Sequence, residues 1–319
     1  MNPLRASLPL LFGMALALAA PCFGAGFSLP YGAGEHQVGF VNETTAPDQE
    51  LLNPLGPLSF RVVGGTCWVL DTVNGRLHHL AADGKPMATI ALPARESADW
   101  QDFAVTVADG RPAAFYVLDG AEQQVLRLSA TGEVQGTFGG LGEEPGKFVQ
   151  VFRIEVDAAG NMYVADRGRQ VVSVLSPAGK VLREIDWEWS GFCLDPSGNL
   201  CYLRWDEDAG VNHLVVETLA GKSVRSVPLA IGPHFNPDLW RVEANGETVV
   251  SFNLPEGAPN QMRIARCGAD GKVIAGCPLT PPKVMNRFLD WDGATCYLGV
   301  ADYGEAPKGT FAVEPFPWK

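Results

Sequence analysis

Along this chain one local pattern, four short strands joined by tight turns, returns about every 40 to 48 residues. The clearest unit places strands at Phe152 to Val156, Met162 to Ala165, Val171 to Leu175 and Val181 to Ile185. Its turns are Asp157-Ala158-Ala159-Gly160-Asn161 and Ser176-Pro177-Ala178-Gly179-Lys180. Short alternating runs bounded by such residues are strand and hairpin chemistry, because period two buries one face while Gly, Pro, Asn and Asp supply the turn conformations. Upstream, Cys67 to Asp71, Leu77 to Leu80 and Met87 to Leu92 form one unit, and Phe115 to Asp119, Gln124 to Leu128 and Val134 to Phe138 another. Downstream, Phe192 to Leu194, Cys201 to Leu203 and His213 to Glu217 form a fourth unit. A fifth holds Trp240 to Glu243 and Thr248 to Phe252, and a sixth Phe288 to Asp290, Cys296 to Val300 and Phe311 to Val313. Six four-stranded units predict an all-β chain, a six-bladed β-propeller in which each blade buries its faces against its neighbours.

The 36 glycines and 24 prolines among 319 residues fit this reading, since glycines recur at the same offset in Asp83-Gly84, Thr131-Gly132, Ala159-Gly160, Ala178-Gly179, Ser197-Gly198 and Asp270-Gly271. The last unit has room for three strands. An N-terminal strand is therefore expected to complete it and close the ring without exposed edges, and His36 to Val41 has the strand character to do so.

Residues 1–25 read as a secretory signal peptide: Arg5 precedes the apolar run Leu8 to Ala20, followed by Pro21, Cys22, Phe23, Gly24 and Ala25. Pro21 stands where a lipobox needs a small residue, which argues against lipidation at Cys22. One propeller domain, 26–319, is expected to remain, exported to the periplasm or medium, and no later run is long enough to span a membrane. A hydrophobic fraction of 46% against 19% charged residues excludes intrinsic disorder. The net charge of -12 repels phosphate backbones and argues against nucleic acid as a partner.

Export makes disulfides reasonable for the six remaining cysteines. Cys193 and Cys201 flank the turn Asp195-Pro196-Ser197-Gly198-Asn199 symmetrically, so a hairpin sets them opposite each other and predicts a bridge. Cys267 with Cys277, and Cys67 with Cys296 as a staple between the first and last blades, are further candidate pairs.

Two stretches resemble a known repeat. Gly140-Leu141-Gly142-Glu143-Glu144-Pro145-Gly146-Lys147-Phe148, followed by Val156 to Asp166, is similar to an NHL repeat, and Leu70-Asp71-Thr72-Val73-Asn74-Gly75-Arg76-Leu77 with Ala82-Asp83-Gly84-Lys85 matches the remainder, including its usual Arg. In the next two blades Gln124 and Val171 stand in place of that Arg. The resemblance covers about a third of the chain and implies an NHL-like propeller of an exported bacterial type. RNA-binding members of that kind present a basic face, which this acidic chain lacks. Lyase propellers similar to NHL proteins hold zinc with several histidines, and lactonase-like ones use a Glu, Asn and Asp set. Here His78 and His79 alternate to opposite faces of one strand, His36, His213 and His234 are scattered, and no lactonase-like set aligns.

Asp71, Asp119 and Asp166 end equivalent strands, and a carboxylate there caps the N–H groups of the following turn, an architectural role. The candidate ligand site lies elsewhere. At or near the start of the predicted innermost strand, Arg stands beside an aromatic residue in four blades: Phe60-Arg61, Phe152-Arg153, Trp240-Arg241 and Arg287-Phe288. Guanidinium forks recognise carboxylates or phosphates, and aromatic neighbours add stacking surface. Arg61, Arg153, Glu155, Trp240, Arg241, Arg287 and Asp290 are therefore the expected channel-mouth residues, with Asp102 nearby. They form either a ligand site or an ion-pair ring.

No catalytic set and no cofactor is legible, and the leading expectation is an exported binding scaffold for a protein, peptide or glycan. Trp187, Trp189, Trp205 and the inserts Asp206 to Asn212 and Pro255 to Gln261 would contribute to its contact surface. The alternative is a lyase or lactone hydrolase using a divalent cation at the channel mouth.

Overall fold

Turn chemistry divides the chain into hairpins, and the apolar alternation stacks the hairpin sheets face to face around a ring. The computed structural model describes residues 26–47, 54–94, 99–255, 262–283, 285–302 and 308–318. They form six antiparallel sheets of four strands each, the blades of a propeller. The innermost strands are Ser59–Val63, Trp100–Ala108, Val151–Val156, Phe192–Leu194, Phe235–Val242 and Leu289–Asp292, for blades 1 to 6 in chain order. Among the described residues no helix is long and apolar enough to cross a membrane. The proposed signal peptide, residues 1–25, and most of the Pro255 to Gln261 insert lie outside the described residues.

Blade 6 takes its outermost strand from the N-terminus, closing the ring as expected. The closing segment is Phe27–Pro30, which pairs antiparallel with Thr310–Pro315 in the register Phe27 to Val313 and Leu29 to Phe311. Phe27 and Leu29 point inward and Ser28 and Pro30 outward. Pro30 is tolerated because an outermost strand leaves one row of N–H groups unpaired. His36 to Val41, the segment expected to do this, makes a connection instead. Tyr31 and Val38 form a parallel bridge, as Leu141 and Phe148 do before blade 3, and the Gly32 and Gly142 amides donate to Val38 O and Phe148 O at 2.8 and 3.0 Å. The N-terminal segment thus repeats the connection that precedes blade 3, and Val38 and Phe40 fill the seam between blades 6 and 1.

The strand-end aspartates tie these connections to the blades. Asp71 accepts from the Gly39 amide at 2.8 Å and from Arg76 Nε at 2.8 Å, while Arg76 donates on to the Gly34 and Gln37 carbonyls. In blade 3, Asp166 accepts from the Val149 and Gln150 amides, each at 2.9 Å. Arg169, two positions earlier than the repeat's Arg, donates to the Lys147 carbonyl and makes a two-point contact with Glu184 at 2.8 and 2.9 Å.

Six apolar clusters fill the six seams between blades. Burying a large side chain such as Trp100, Phe115 or Tyr163 contributes on the order of 1.5–3 kcal/mol, so the seams supply most of the cohesion.

The cysteines follow the seams. All six are buried, free thiols. Cys193 and Cys201 are register partners across the predicted hairpin. The other two pairings do not match the register. Cys277 sits opposite Ile264, three positions from Cys267 and therefore on the other face of its sheet, and the two belong to different seams. Cys67 faces the seam between blades 6 and 1, whereas Cys296 faces blade 5, with the blade 6 sheet between them.

Candidate binding site

A propeller leaves one edge of each innermost strand facing the central channel, where unpaired N–H and C=O groups need partners. Side chains supply them here. Arg61 Nε donates to Phe103 O at 3.0 Å and its Nη2 to Ile154 O at 3.1 Å. Arg287 Nη2 also reaches Ile154 O, at 3.2 Å, and Asn286 Nδ2 donates to the Gln101 and Phe152 carbonyls. In return, Asp102 Oδ2 accepts the Ile154 amide at 3.1 Å and Asp290 Oδ2 the Val62 amide at 2.6 Å.

The same side chains pair with one another. Arg287 binds Asp102 with two hydrogen bonds and Glu155 at 2.9 Å, while Arg61 lies 3.3 Å from Glu155 and 3.9 Å from Asp290. Ser59 donates to Asp102 Oδ1 at 2.6 Å. Burial alone would raise the Asp102 carboxyl, but Arg287, Arg61 and the Ser59 hydroxyl together hold it below the usual carboxylate range. Burial wins at Asp290, which is raised despite Arg61. Opposing burial, Asp102 and Glu155 raise the Arg287 guanidinium. Two guanidiniums facing three carboxylates leave one acid in surplus, consistent with the opposite directions of Asp102 and Asp290.

This plug bridges blades 1, 2, 3 and 6. In blade 4 the innermost strand, Phe192–Leu194, is only three residues long. Six of the seven expected residues, Arg61, Glu155, Trp240, Arg241, Arg287 and Asp290, line one cavity of about 210 Å³ at the mouth formed by the first hairpin turns. Arg241 is held on its rim by Glu243 at 2.7 Å and the Gly293 carbonyl at 3.1 Å. Arg153 lies apart. It forms a two-point contact with Asp238 at 2.8 and 3.0 Å, and its guanidinium sits 4.6 Å from the centre of the Trp240 ring.

Asp238 opens onto the opposite mouth, a cavity of about 670 Å³ lined by Phe152, Arg167, Gln170, Glu188, Trp189, Asn236, Pro237, Asp238 and Met262. The connection into blade 4 builds its wall. The Trp187 amide donates to Gln170 O at 2.8 Å, Glu188 Oε2 accepts the Trp205 amide at 3.0 Å, and Ser190 O accepts the Leu239 amide at 2.9 Å. Between these anchors Trp189 has a φ of 60°, a left-handed conformation that is an outlier for a bulky side chain. Its indole is 54% exposed. Gln170 and Asn236, which line the same cavity, also have left-handed φ values of 56° and 50°. Gly191, at φ 68°, lets Asp238 approach to where a Cβ would stand 2.0 Å from Oδ1.

Arg167 projects into the same cavity from the turn after Asp166. Its guanidinium carbon lies 3.2 Å from the Phe152 ring centre and 5.8 Å from that of Trp189. Its Nε is buried without a hydrogen-bond partner, and among the described residues no carboxylate forms an ion pair with it. Burial first, then Arg153, push its pKa below the usual guanidinium value against the opposing charge of Asp238. Trp205, 42% exposed, and Phe235, 46% exposed, continue the aromatic surface past Glu188 and Pro237, whereas Trp187 is buried at 2% and belongs to the seam between blades 3 and 4. The Asp206 to Asn212 turn borders a neighbouring cavity with His213. Sequence reasoning flagged Trp189 and Trp205 but missed Arg167, which reads as an ordinary turn residue until its lack of a partner is visible.

Among the described residues no three His, Cys, Asp or Glu side chains are grouped to hold a metal ion. Neither a family model nor a curated protein matches this sequence. Solved structures do. A streptogramin B lyase aligns over 94% of this chain and 96% of its own at 14% identity and a TM-score of 0.50. The hydrazine synthase of Kuenenia stuttgartiensis aligns over 76% of this chain and 73% of its own at 20% identity and a TM-score of 0.52. At these identities the likeness shows the propeller fold.

Proposed function

We propose that this chain is an exported, NHL-like propeller that acts as a binding scaffold, taking a protein, peptide or glycan at the mouth lined by Phe152, Arg167 and Trp189. The observation that carries the reading is Trp189, held on both sides by backbone hydrogen bonds yet left exposed in a left-handed conformation. A fixed aromatic platform beside a large cavity lowers the entropy cost of binding, as preorganised sites do. The charged residues at the other mouth are engaged with one another and with the inner strand edges, which supports a structural role for them.

The test is an array of peptides and glycans probed with wild type and Trp189→Ala, with Arg241→Ala as a control at the opposite mouth. Signals lost in Trp189→Ala and kept in Arg241→Ala support this placement. Signals lost only in Arg241→Ala would move the site to the other mouth, and a blank array would remove the scaffold reading for both ligand classes.

A further inference from the structure

Arg167 is anomalous in an acidic protein. The chain carries 36 acidic against 24 basic residues, and the arginines at both channel mouths described above have carboxylate partners. Arg167 stands in the largest of the cavities described, beside the Phe152 and Trp189 rings, with no ion-paired carboxylate among the described residues. Asp238 acts on it only as a nearby charge, outweighed by burial and Arg153. A guanidinium taken partly out of water without a hydrogen-bonded counterion is costly, so its position makes sense when a ligand completes it.

The aromatic rings bear on which anion fits. The Arg167 guanidinium carbon lies 3.2 Å from the Phe152 ring centre and 5.8 Å from that of Trp189. An arginine stacked on an aromatic face presents its N–H groups at its edge, where a planar carboxylate accepts paired hydrogen bonds.

The surroundings select what carries it. Trp189, Trp205 and Phe235 offer flat apolar faces, while Gln170, Glu188, Asn236 and Asp238 line the same surface as hydrogen-bonding groups. Alternating apolar faces and polar groups match a pyranose, with its C–H faces and hydroxyl rim. A peptide adding as a strand needs a free sheet edge, and the inner edges around Ile154, Phe103 and Val62 are occupied by Arg61, Arg287, Asp102 and Asp290. The net charge of -12 further disfavours a long polyanion.

We propose that this mouth binds a short oligosaccharide with a single carboxylate-bearing sugar, its carboxylate on Arg167 and a pyranose face on Trp189. The proposal rests on the scaffold reading and specifies its ligand.

Titration calorimetry of the whole protein tests it with four probes: a uronate-containing oligosaccharide, its carboxyl-reduced neutral counterpart, the corresponding sugar phosphate and an acidic peptide. Wild type should prefer the uronate over the other three. Arg167→Gln should weaken the uronate about 10-fold or more relative to its effect on the neutral sugar, the scale of a lost charge-assisted contact. Arg167→Lys should restore little, since an ammonium lacks the planar fork. Trp189→Ala should weaken both sugars. Thermal melts of each variant establish folding.

If Arg167→Gln binds uronate as wild type does while Trp189→Ala does not, the carboxylate assignment falls and the scaffold site stands. Preference for the phosphate or the peptide overturns the ligand class. Loss of no interaction in either variant, or no binding of any probe, overturns the proposal, and sugar binding unaffected by Trp189→Ala also removes the proposed site.

Discussion

Arg287, just ahead of the innermost strand of blade 6, reaches across the channel to Asp102 of blade 2 and holds it at 3.2 and 2.9 Å, with both side chains almost wholly buried. The contact joins residues 185 positions apart and makes the plug a brace across the ring as well as a cover for strand edges.

The two buried acids of this plug should respond oppositely to amidation. Asp102→Asn strands the Arg287 charge, and breaking a buried pair costs about 3–5 kcal/mol. The Asp102 carboxyl is depressed, so its contribution is present above the unfolded pKa and lost as pH falls through the lower folded one. Asp290 is raised, so its contribution is full below the unfolded pKa and lost as pH rises through the folded one. Asp290→Asn should therefore cost far less, and its stability relative to wild type should improve with rising pH. Urea denaturation at pH 7 and in mild acid measures both, and equal losses at pH 7 would refute this division.

Two histidines in blade 1 predict acid sensitivity. His79 stacks on Trp68 at 4.0 Å with its Nε2 at 2.9 Å from Thr66, and burial, then His78, lowers its pKa to about 4. Burial, then Arg76, also lowers His78. Below about pH 6.5 the unfolded chain binds protons that the folded chain refuses, so stability should fall from there to about pH 4 for His79. His79→Gln should flatten this part of the profile in equilibrium denaturation, and an unchanged slope would argue against His79 as its source.

Closure by Phe27–Pro30 predicts that the N-terminus locks the ring. Phe27 packs in the seam between blades 6 and 1, close enough to Gly84 that a Cβ there would lie 2.7 Å from it. Phe27→Ala should cost about 3–5 kcal/mol. Thermolysin should then cut first in blade 6 or the N-terminal strand, and a digestion pattern identical to wild type would count against the lock.

The blades were legible because their turns carry glycine at recurring offsets, and glycine is what a left-handed turn position requires: Gly84, Gly160, Gly179, Gly198 and Gly271 all have φ between 78° and 83°. That an N-terminal strand closes the ring followed from counting strands. Which segment does so was obscured because His36 to Val41 has the character of a strand while belonging to an inter-blade connection, and Phe27–Pro30 is short and ends in proline. The channel arginines could be named because each stands beside an aromatic residue in or just before an innermost strand, although Trp240-Arg241 falls at the end of Phe235–Val242 rather than at its start as expected. Their partners could not, since Arg287 with Asp102 and Arg153 with Asp238 are pairings across the ring, set by blade geometry rather than by sequence spacing. Arg167 left no signal at all, because what distinguishes it is that, among the described residues, no carboxylate comes within ion-pair distance of it.

Cys193 and Cys201 carry the last prediction. The Asp195 amide donates to Asn199 O at 3.0 Å, so by alternation the Cys193 and Cys201 pair, two residues further along, is also a hydrogen-bonded position. There the Cα atoms stand about 5.5 Å apart, inside the span a disulfide bridges. The Cys201 thiol first, and burial second, push the Cys193 thiol well above its ordinary pKa, and attack on an oxidant needs the thiolate. The bridge should therefore form while the hairpin is still open during oxidative folding, and form slowly once the propeller has closed. Protein refolded in a glutathione redox buffer should show Cys193 and Cys201 linked by peptide mapping, with the other four cysteines alkylated after denaturation. Protein folded reduced and then oxidised should acquire the link slowly. Because the closed loop is short, the bridge should add less than the roughly 3 kcal/mol of a 15-residue loop, read as the difference in denaturation midpoint between oxidised wild type and a Cys193→Ser, Cys201→Ser double variant. Rapid linkage in the folded, reduced protein would show that the hairpin opens in the native state, and absence of the link after oxidative refolding would exclude the pairing.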